Sequence, residues 1–385
     1  MGKFGHYLAL DDFETAAKRH LPRCIYGFIS GGAETCLSRD GNRSAFADYR
    51  FVPRVLNDTF ARDQAVSLFG REIASPIGIC PMGAINVAAR GGDLALALAA
   101  EKARVPFVLS AASLTPMERI IEAAPSSWFQ AYLPGEEERI LPLMDRAARA
   151  GFGTLVLTVD LSVPGNRENN IRNGWNMPLR PGPRLMLDGI THPRWLLSTA
   201  FATLAFDGMP HFENMDARRG PPILSRNLSR DIGRREALSW EHVRLMRDRW
   251  QGRLVLKGIL APEDAVTAQK LGVDGIIVSN HGGRQLDGAL ESLHALPAIA
   301  AAAPGLTLLL DGGVRRGSDV LKALALGASA VLIGRPMLYA VAVAGRPGVT
   351  HALGLIMQEI DRNLSLLGVT APGQITPALL RRAGV

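Results

Sequence analysis

His281 and Arg284 stand three residues apart in the stretch Val278-Ser-Asn-His-Gly-Gly-Arg-Gln-Leu-Asp287. An imidazole moves a proton near neutral pH, and a guanidinium holds a carboxylate through two parallel hydrogen bonds. A surface loop with a stray histidine has the same local spelling, so the elements that present these residues matter. Just upstream, Gly275-Ile-Ile-Val278 is a short apolar, β-branched run that stops at polar residues and a Gly-Gly pair. That is how a buried parallel strand ends and opens into a loop at its C-terminal edge.

The same pattern recurs along the chain. Strands are predicted at Ile77–Cys80, Phe107–Ser110, Trp128–Tyr132, Leu155–Val159, Leu254–Lys257, Gly275–Ser279, Thr307–Leu310 and Val331–Ile333, with Ala- and Leu-rich helical stretches after them. Eight βα units in order predict an α/β fold, a (β/α)8 TIM barrel, with a doubly wound sheet as the alternative. Residues 1–64 read as an N-terminal helical segment and 65–370 as the barrel, opened by a hairpin around Gly70-Arg71; 371–385 read as a C-terminal tail. The interruption over 161–253 is far too long for an ordinary βα loop. Placed after strand 4, it sits over the mouth as a lid, a partner site or a membrane contact.

Bulk properties narrow the classes. Of 385 residues, 47% are apolar and 21% charged, enough for a large core. The net charge of +7 is carried mostly by Arg, with no basic run interleaved with aromatics, so no nucleic-acid partner is expected. The three cysteines have no metal-ligand spacing; no metal is expected, and a reduced, cytoplasmic compartment is the simplest reading. The N-terminus has no apolar run long enough for a signal peptide. No segment has the roughly 18 uninterrupted apolar residues of a membrane span. The expectation is a soluble protein that at most touches a membrane surface.

Residues at strand C-termini share one mouth in a barrel. Here those ends supply Pro81-Met82-Gly83, Ser110, Gln130 and Tyr132, Thr158 and Asp160 with Arg167 beyond, Lys257, then Ser279, His281 and Arg284. The last two strands end in Asp311-Gly312-Gly313-Val-Arg315 and Gly334-Arg335, glycine amides and arginines where barrels bind phosphate. In a chain that strongly favours Arg, Lys257 suggests a need for a compact ammonium.

Taken together, these residues resemble the FMN-dependent 2-hydroxy-acid oxidase and dehydrogenase family, from about residue 10 to about 370. Ser279–Asp287 and Asp311–Asp319 are the most specific stretches. The insertion, with Leu187-Asp-Gly189 and His192-Pro-Arg-Trp195, looks most like the mandelate and lactate dehydrogenase branch. The resemblance implies FMN as cofactor, His281 as catalytic base and Asp160 as its partner. It implies that Arg284 and Arg167 bind the substrate carboxylate, that Tyr132 hydrogen-bonds the substrate and that Lys257 faces the flavin N1/O2 edge. Pro81, Met82 and Gly83 would lie against the flavin, with Ser110, Gln130, Thr158 and Ser279 bonding its ring or ribityl chain. Asp311, Gly312, Gly313, Arg315, Gly334 and Arg335 would hold the ribityl and phosphate end. A homotetramer is the assembly often found among such barrels. Other readings are a different FMN barrel, such as a flavin-dependent isopentenyl diphosphate isomerase, and a non-catalytic ligand-binding barrel.

Two positions depart from the family pattern. Phe28 stands where a tyrosine usually donates to the carboxylate, and Ala112 where glycolate oxidase has a tryptophan. Both enlarge the site and make it less polar, so a bulky or aromatic 2-hydroxy acid is expected, with lactate as the other choice. Gly83 resembles the dehydrogenase branch and favours a quinone acceptor, with a cytochrome or O2 as alternatives. Within 190–225 and just beyond, Trp195-Leu-Leu, Phe201, Phe206 and Arg218, Arg219, Arg226 and Arg230 can rest on a membrane, peripherally on its inner face.

Overall fold

Runs of β-branched and leucine residues that are buried on both faces form the centre of the molecule, as parallel barrel strands require. In the computed structural model, which describes residues 4–175, 182–225 and 234–383, they are β1 Ile77–Ile79, β2 Val108–Ser110, β3 Trp128–Ala131, β4 Thr154–Thr158, β5 Arg253–Ile259, β6 Gly275–Val278, β7 Thr307–Asp311 and β8 Ala330–Ile333. Each pairs in parallel with its sequence neighbour, β8 pairs with β1, and a parallel bridge from Ile79 to Phe107 completes the ring. The doubly wound alternative is excluded by that closure.

Alternation along each strand divides the core in two. Val108, Trp128, Val156, Val255, Ile277, Leu309 and Leu332 pack together in one cluster with Leu68 and Ile73 of the hairpin Val66–Leu68/Arg71–Ile73. Their neighbours, such as Leu308 and Leu310, join the larger core built with the helices. A side chain on Gly275, the first residue of β6, would strike the Phe69 ring. The hairpin therefore plugs the N-terminal end of the barrel and leaves the other end for chemistry.

The N-terminal segment folds as helices Leu10–His20, Arg23–Ser30 and Leu37–Ser44. It is tied to the loop after β6: Asp287 accepts from the Thr35 and Ser38 amides (3.0 and 2.9 Å), and Ala33 N–H donates to Gly283 O (2.8 Å). Leu380–Arg382 pairs antiparallel with Tyr49–Phe51, and Ile375, Leu379 and Leu380 are buried. The Arg335–Leu367 helix is long and apolar enough to cross a membrane. It breaks at Gly345 (φ 59°), and Met337–Ala342 lie in the core.

Within the insertion, Trp240–Arg249 is helical. Pro183–Ile190 and a helical run from Pro193 to Asp207 were not expected, the latter wound wider than an α-helix over most of its length. Leu197, Phe201, Leu204 and Phe206 are exposed on it. Trp195, expected on that outer face, turns inward instead and donates its indole N–H to Val87 O at 2.9 Å. Arg219 pairs with Glu213 (2.9 Å), and Arg226 and Arg230 lie outside the described residues.

Candidate active site

β6 ends at Val278, and the chain then enters three consecutive left-handed residues: His281 (φ 57°), Gly282 (63°) and Gly283 (71°). Two of the three are glycines, which accept this conformation freely, while His281 pays about 1–2 kcal/mol for it. Its amide is held by Ser279 Oγ at 3.0 Å, and its Nδ1 lies 2.8 Å from Asp160 Oδ1, just beyond β4. An ionised carboxylate only accepts, so Nδ1 carries the proton and Nε2 is the basic nitrogen.

The charges around this pair set its state. Burial opposes the charge on Asp160, yet His281 and Lys257 outweigh it and hold the carboxyl below the usual carboxylate range. Burial is also the largest influence on His281 and pushes it down; Asp160 pushes back, Lys257 and Arg167 add to the lowering, and the imidazole is neutral at pH 7. Tyr132 packs beside it, ring centroids 6.4 Å apart at 25°, and burial keeps its phenol protonated.

Two guanidinium groups follow, Arg167 close enough to act on the imidazole and Arg284 close to Arg167. Arg167 is oriented by Arg284 O (3.0 Å) and Gln285 Oε1 (2.6 Å). Arg284 donates to the carbonyls of Phe28 (2.8 Å) and Gly31 (3.1 Å), and its Cζ lies 5.1 Å over the Phe28 ring. Trp175 stacks on Phe28 at 4.3 Å. Among the described residues neither arginine has a carboxylate partner within 4.0 Å. Burial, then Arg167 and Arg335, disfavours the charge on Arg284. Since guanidinium stays protonated, this is an unmet demand for an anion.

Deeper in the mouth, Lys257, only 3% exposed, ion-pairs with Asp311 at 2.8 Å and donates to Ser279 Oγ at 2.8 Å. Ser279 donates to Asp311 at 2.5 Å, and the Cys80 thiol does so at 3.2 Å. Burial opposes the lysine's charge, but Asp311, Cys80 and Asp160 win and hold it protonated far into the alkaline range. Ser110 donates to Gln130 Oε1 at 3.0 Å, whereas Gln130 Nε2, Thr158 Oγ1 and Asp160 Oδ2 are buried with no partner among the described residues. Such atoms call for a polar ligand.

Around the rim, Gly312 and Gly313 have positive φ (104° and 82°), and a Cβ on Gly313 would lie 2.0 Å from Asn42 O. Gly334 borders Cys80 and Met82, beside Pro81, while a Cβ on Gly83 would meet the Ala112 Cβ at 2.8 Å. Arg315 lies 3.4 Å from Asp11, and Arg335 donates to Ile29 O, Gly31 O and Gly282 O (2.8–3.0 Å). Arg335 thus fastens the N-terminal segment to the His281 loop, a contact its place after β8 did not foretell. The donor set, glycine cradle and buried cation fit a flat, phosphate-bearing ligand.

Residues 17–382 match the FMN-dependent dehydrogenase family. The chain belongs to this family. Its relatives include an L-lactate dehydrogenase of Ectopseudomonas mendocina (strain ymp), 40% identical over 97% of this chain and 98% of that protein. One from Pectobacterium atrosepticum is 39% identical over 96% and 95%. Among solved structures, the monotopic membrane protein (S)-mandelate dehydrogenase superposes with a TM-score of 0.90 at 36% identity, covering 97% of this chain and 99% of that one. A mandelate oxidase mutant solved with (S)-mandelic acid gives 0.81 at 36%, covering 98% and 99%. The isomerase and non-catalytic readings find no support here.

Some residues at this FMN-dependent dehydrogenase's mouth were not singled out from sequence. Gln285 was inside the quoted motif, and it bridges Arg167 to the carbonyls of Asp160 (3.2 Å) and Val163 (3.0 Å). Asn42, which exchanges hydrogen bonds with Asn280 (2.6 and 3.1 Å), and Arg235, over Tyr132, carried no local signal.

Proposed function

We propose that this enzyme oxidises an L-2-hydroxy acid to the 2-oxo acid. One observation carries the reading: beside a neutral imidazole held by a carboxylate stands Arg167 with Arg284 next to it, and among the described residues neither guanidinium has a carboxylate within 4.0 Å. A hydroxy acid brings both things this arrangement asks for, an anion for the cations and a proton for the base. Arg284 and Arg167 hold the carboxylate, which fixes the hydroxyl toward His281. His281 Nε2 takes the hydroxyl proton, and Asp160 stabilises the imidazolium that results. Tyr132 donates a hydrogen bond to the substrate.

When bound, FMN would supply the acceptor for the Cα hydrogen with its two electrons, and a buried positive charge such as Lys257 would stabilise the negative charge gathered on reduction. Gln130, Thr158, Ser110, Ser279 and the backbone at Pro81–Gly83 would bond or face its ring. The Asp311–Arg315 and Gly334–Arg335 turns would hold its phosphate end.

Phe28 and Ala112 support a substrate with a bulky or aromatic side chain, and Gly83 supports a quinone acceptor. Exposed Leu197, Phe201, Leu204 and Phe206 support a peripheral membrane contact at the cytoplasmic face, where a lipid-soluble quinone is reached. Assembly as a homotetramer belongs to the same reading and is tested by light scattering. Anaerobic flavin reduction with a series of 2-hydroxy acids tests the substrate: aromatic or long-chain acids should react fastest, and preference for glycolate or lactate would overturn that choice. Flotation with anionic vesicles, lost on changing Leu197, Phe201 and Phe206 to Ser, tests the membrane contact; unchanged flotation would refute it.

A further inference from the structure

The end of the insertion is pinned to the loop that follows β3. Gly135 N–H donates to Arg234 O at 3.0 Å, and Arg234 N–H donates to Glu136 Oε1 at 3.3 Å. A Cβ on Gly135 would lie 2.6 Å from the Ala237 carbonyl carbon, so the two backbones meet where only glycine fits. A tight turn follows, closed by Leu238 N–H to Arg235 O at 3.1 Å. Its effect is to set the Arg235 guanidinium over Tyr132, Cζ 5.0 Å from the ring centroid.

That placement is costly unless it serves a purpose. Arg235 Nε is buried without a hydrogen-bond partner among the described residues. Arg235, Tyr132, Thr158, Leu161 and Trp240 line a cavity of about 310 Å3 with Glu236 and Asp264, yet neither acid pairs with the arginine. Burial and the nearby Arg139 disfavour its charge, Tyr132 favours it, and the ring beneath the guanidinium adds a cation–π contact.

We propose that Arg235 is a positioning residue acting through Tyr132: the cation over the ring draws electron density from the phenol and strengthens its O–H as a donor to the substrate. The insertion thereby completes the active site besides covering it. The inference rests on the reading that Tyr132 bonds the substrate. The charges facing the phenol are Lys257, Asp160, Arg167 and Arg235; burial raises its ionisation, the three cations lower it and Asp160 raises it. Loss of Arg235 therefore moves Tyr132 ionisation, and the alkaline limb of kcat/KM, to higher pH.

The test is a double-mutant cycle on the FMN-loaded enzyme, with flavin content and Tm checked for each variant. Arg235→Gln should lower kcat/KM about three- to tenfold, within the range of a cation over a partly buried ring, and shift the alkaline limb upward. Arg235→Lys should recover most of the loss. In a Tyr132→Phe background, Arg235→Gln should add less than about twofold. A full loss persisting without the Tyr132 hydroxyl, or no recovery with Lys, would overturn the proposal. If Tyr132→Phe alone cost nothing, the role of Tyr132 itself would fall; if it cost activity without coupling to Arg235, only this inference would.

Discussion

Changing Asp160 to Asn should slow the enzyme while making its base easier to deprotonate, and these opposite signs make the test sharp. Asp160 Oδ1 accepts the Nδ1–H of His281 at 2.8 Å, and both side chains are about 85% buried. A hydrogen bond to a charged group is worth about 1.5–3 kcal/mol. Since 1.36 kcal/mol is tenfold in rate, losing it should cut the rate of anaerobic flavin reduction about 10- to 150-fold. Asp160 is also what opposes the lowering of His281 by burial and by Lys257. Without its charge the imidazole takes up its proton only at still lower pH, so the acidic limb of kcat/KM should move down. The assay is stopped-flow flavin bleaching with an L-2-hydroxy acid, run from pH 5 to 9. A loss below threefold, or an acidic limb that moves up, would refute the pairing.

Substitutions at three further points, two of them with a compensating partner, probe other parts of the site. Lys257→Met leaves Asp311 buried without its cation, which should cost about 3–5 kcal/mol in urea unfolding; adding Asp311→Asn should restore part of it, and a stable single variant would contradict the ion pair. Gly83→Ala places a methyl 2.8 Å from the Ala112 Cβ and should cost about 1–3 kcal/mol through overpacking. Ala112→Gly should relieve that loss, and no relief would show the two loops are not in contact. Phe28→Tyr should tighten L-lactate about tenfold or more if the hydroxyl reaches the carboxylate, read from the substrate dependence of flavin reduction; unchanged affinity would rule that out.

The strands were legible because each is a short apolar run cut off by polar or glycine residues, and the eight ends named the contents of the mouth. The convergence of His281 with Asp160, 121 residues away, followed from barrel geometry, which brings every strand end to one side. What stayed hidden lay where no period fixes side-chain direction. Trp195 reads as one of several exposed apolar residues, and only its bond to Val87 O turns it inward. Arg335 follows a strand as a phosphate-binding arginine does, but the N-terminal segment crosses close enough to take hydrogen bonds from its Nε and Nη2. Arg235 sits in a Pro-, Gly- and Arg-rich stretch where one arginine is spelled like the next. Its place over Tyr132 depends on the backbone contact at Gly135, which no local pattern encodes.

The most direct test of the whole account uses the purified FMN-loaded enzyme without oxygen. Mixed with the L- and D-forms of a 2-hydroxy acid series, the yellow protein should bleach with L-acids and form the 2-oxo acid in equal amount, and His281→Asn should abolish the bleaching. Protein that cannot take up FMN, or that stays yellow with every 2-hydroxy acid, would contradict it.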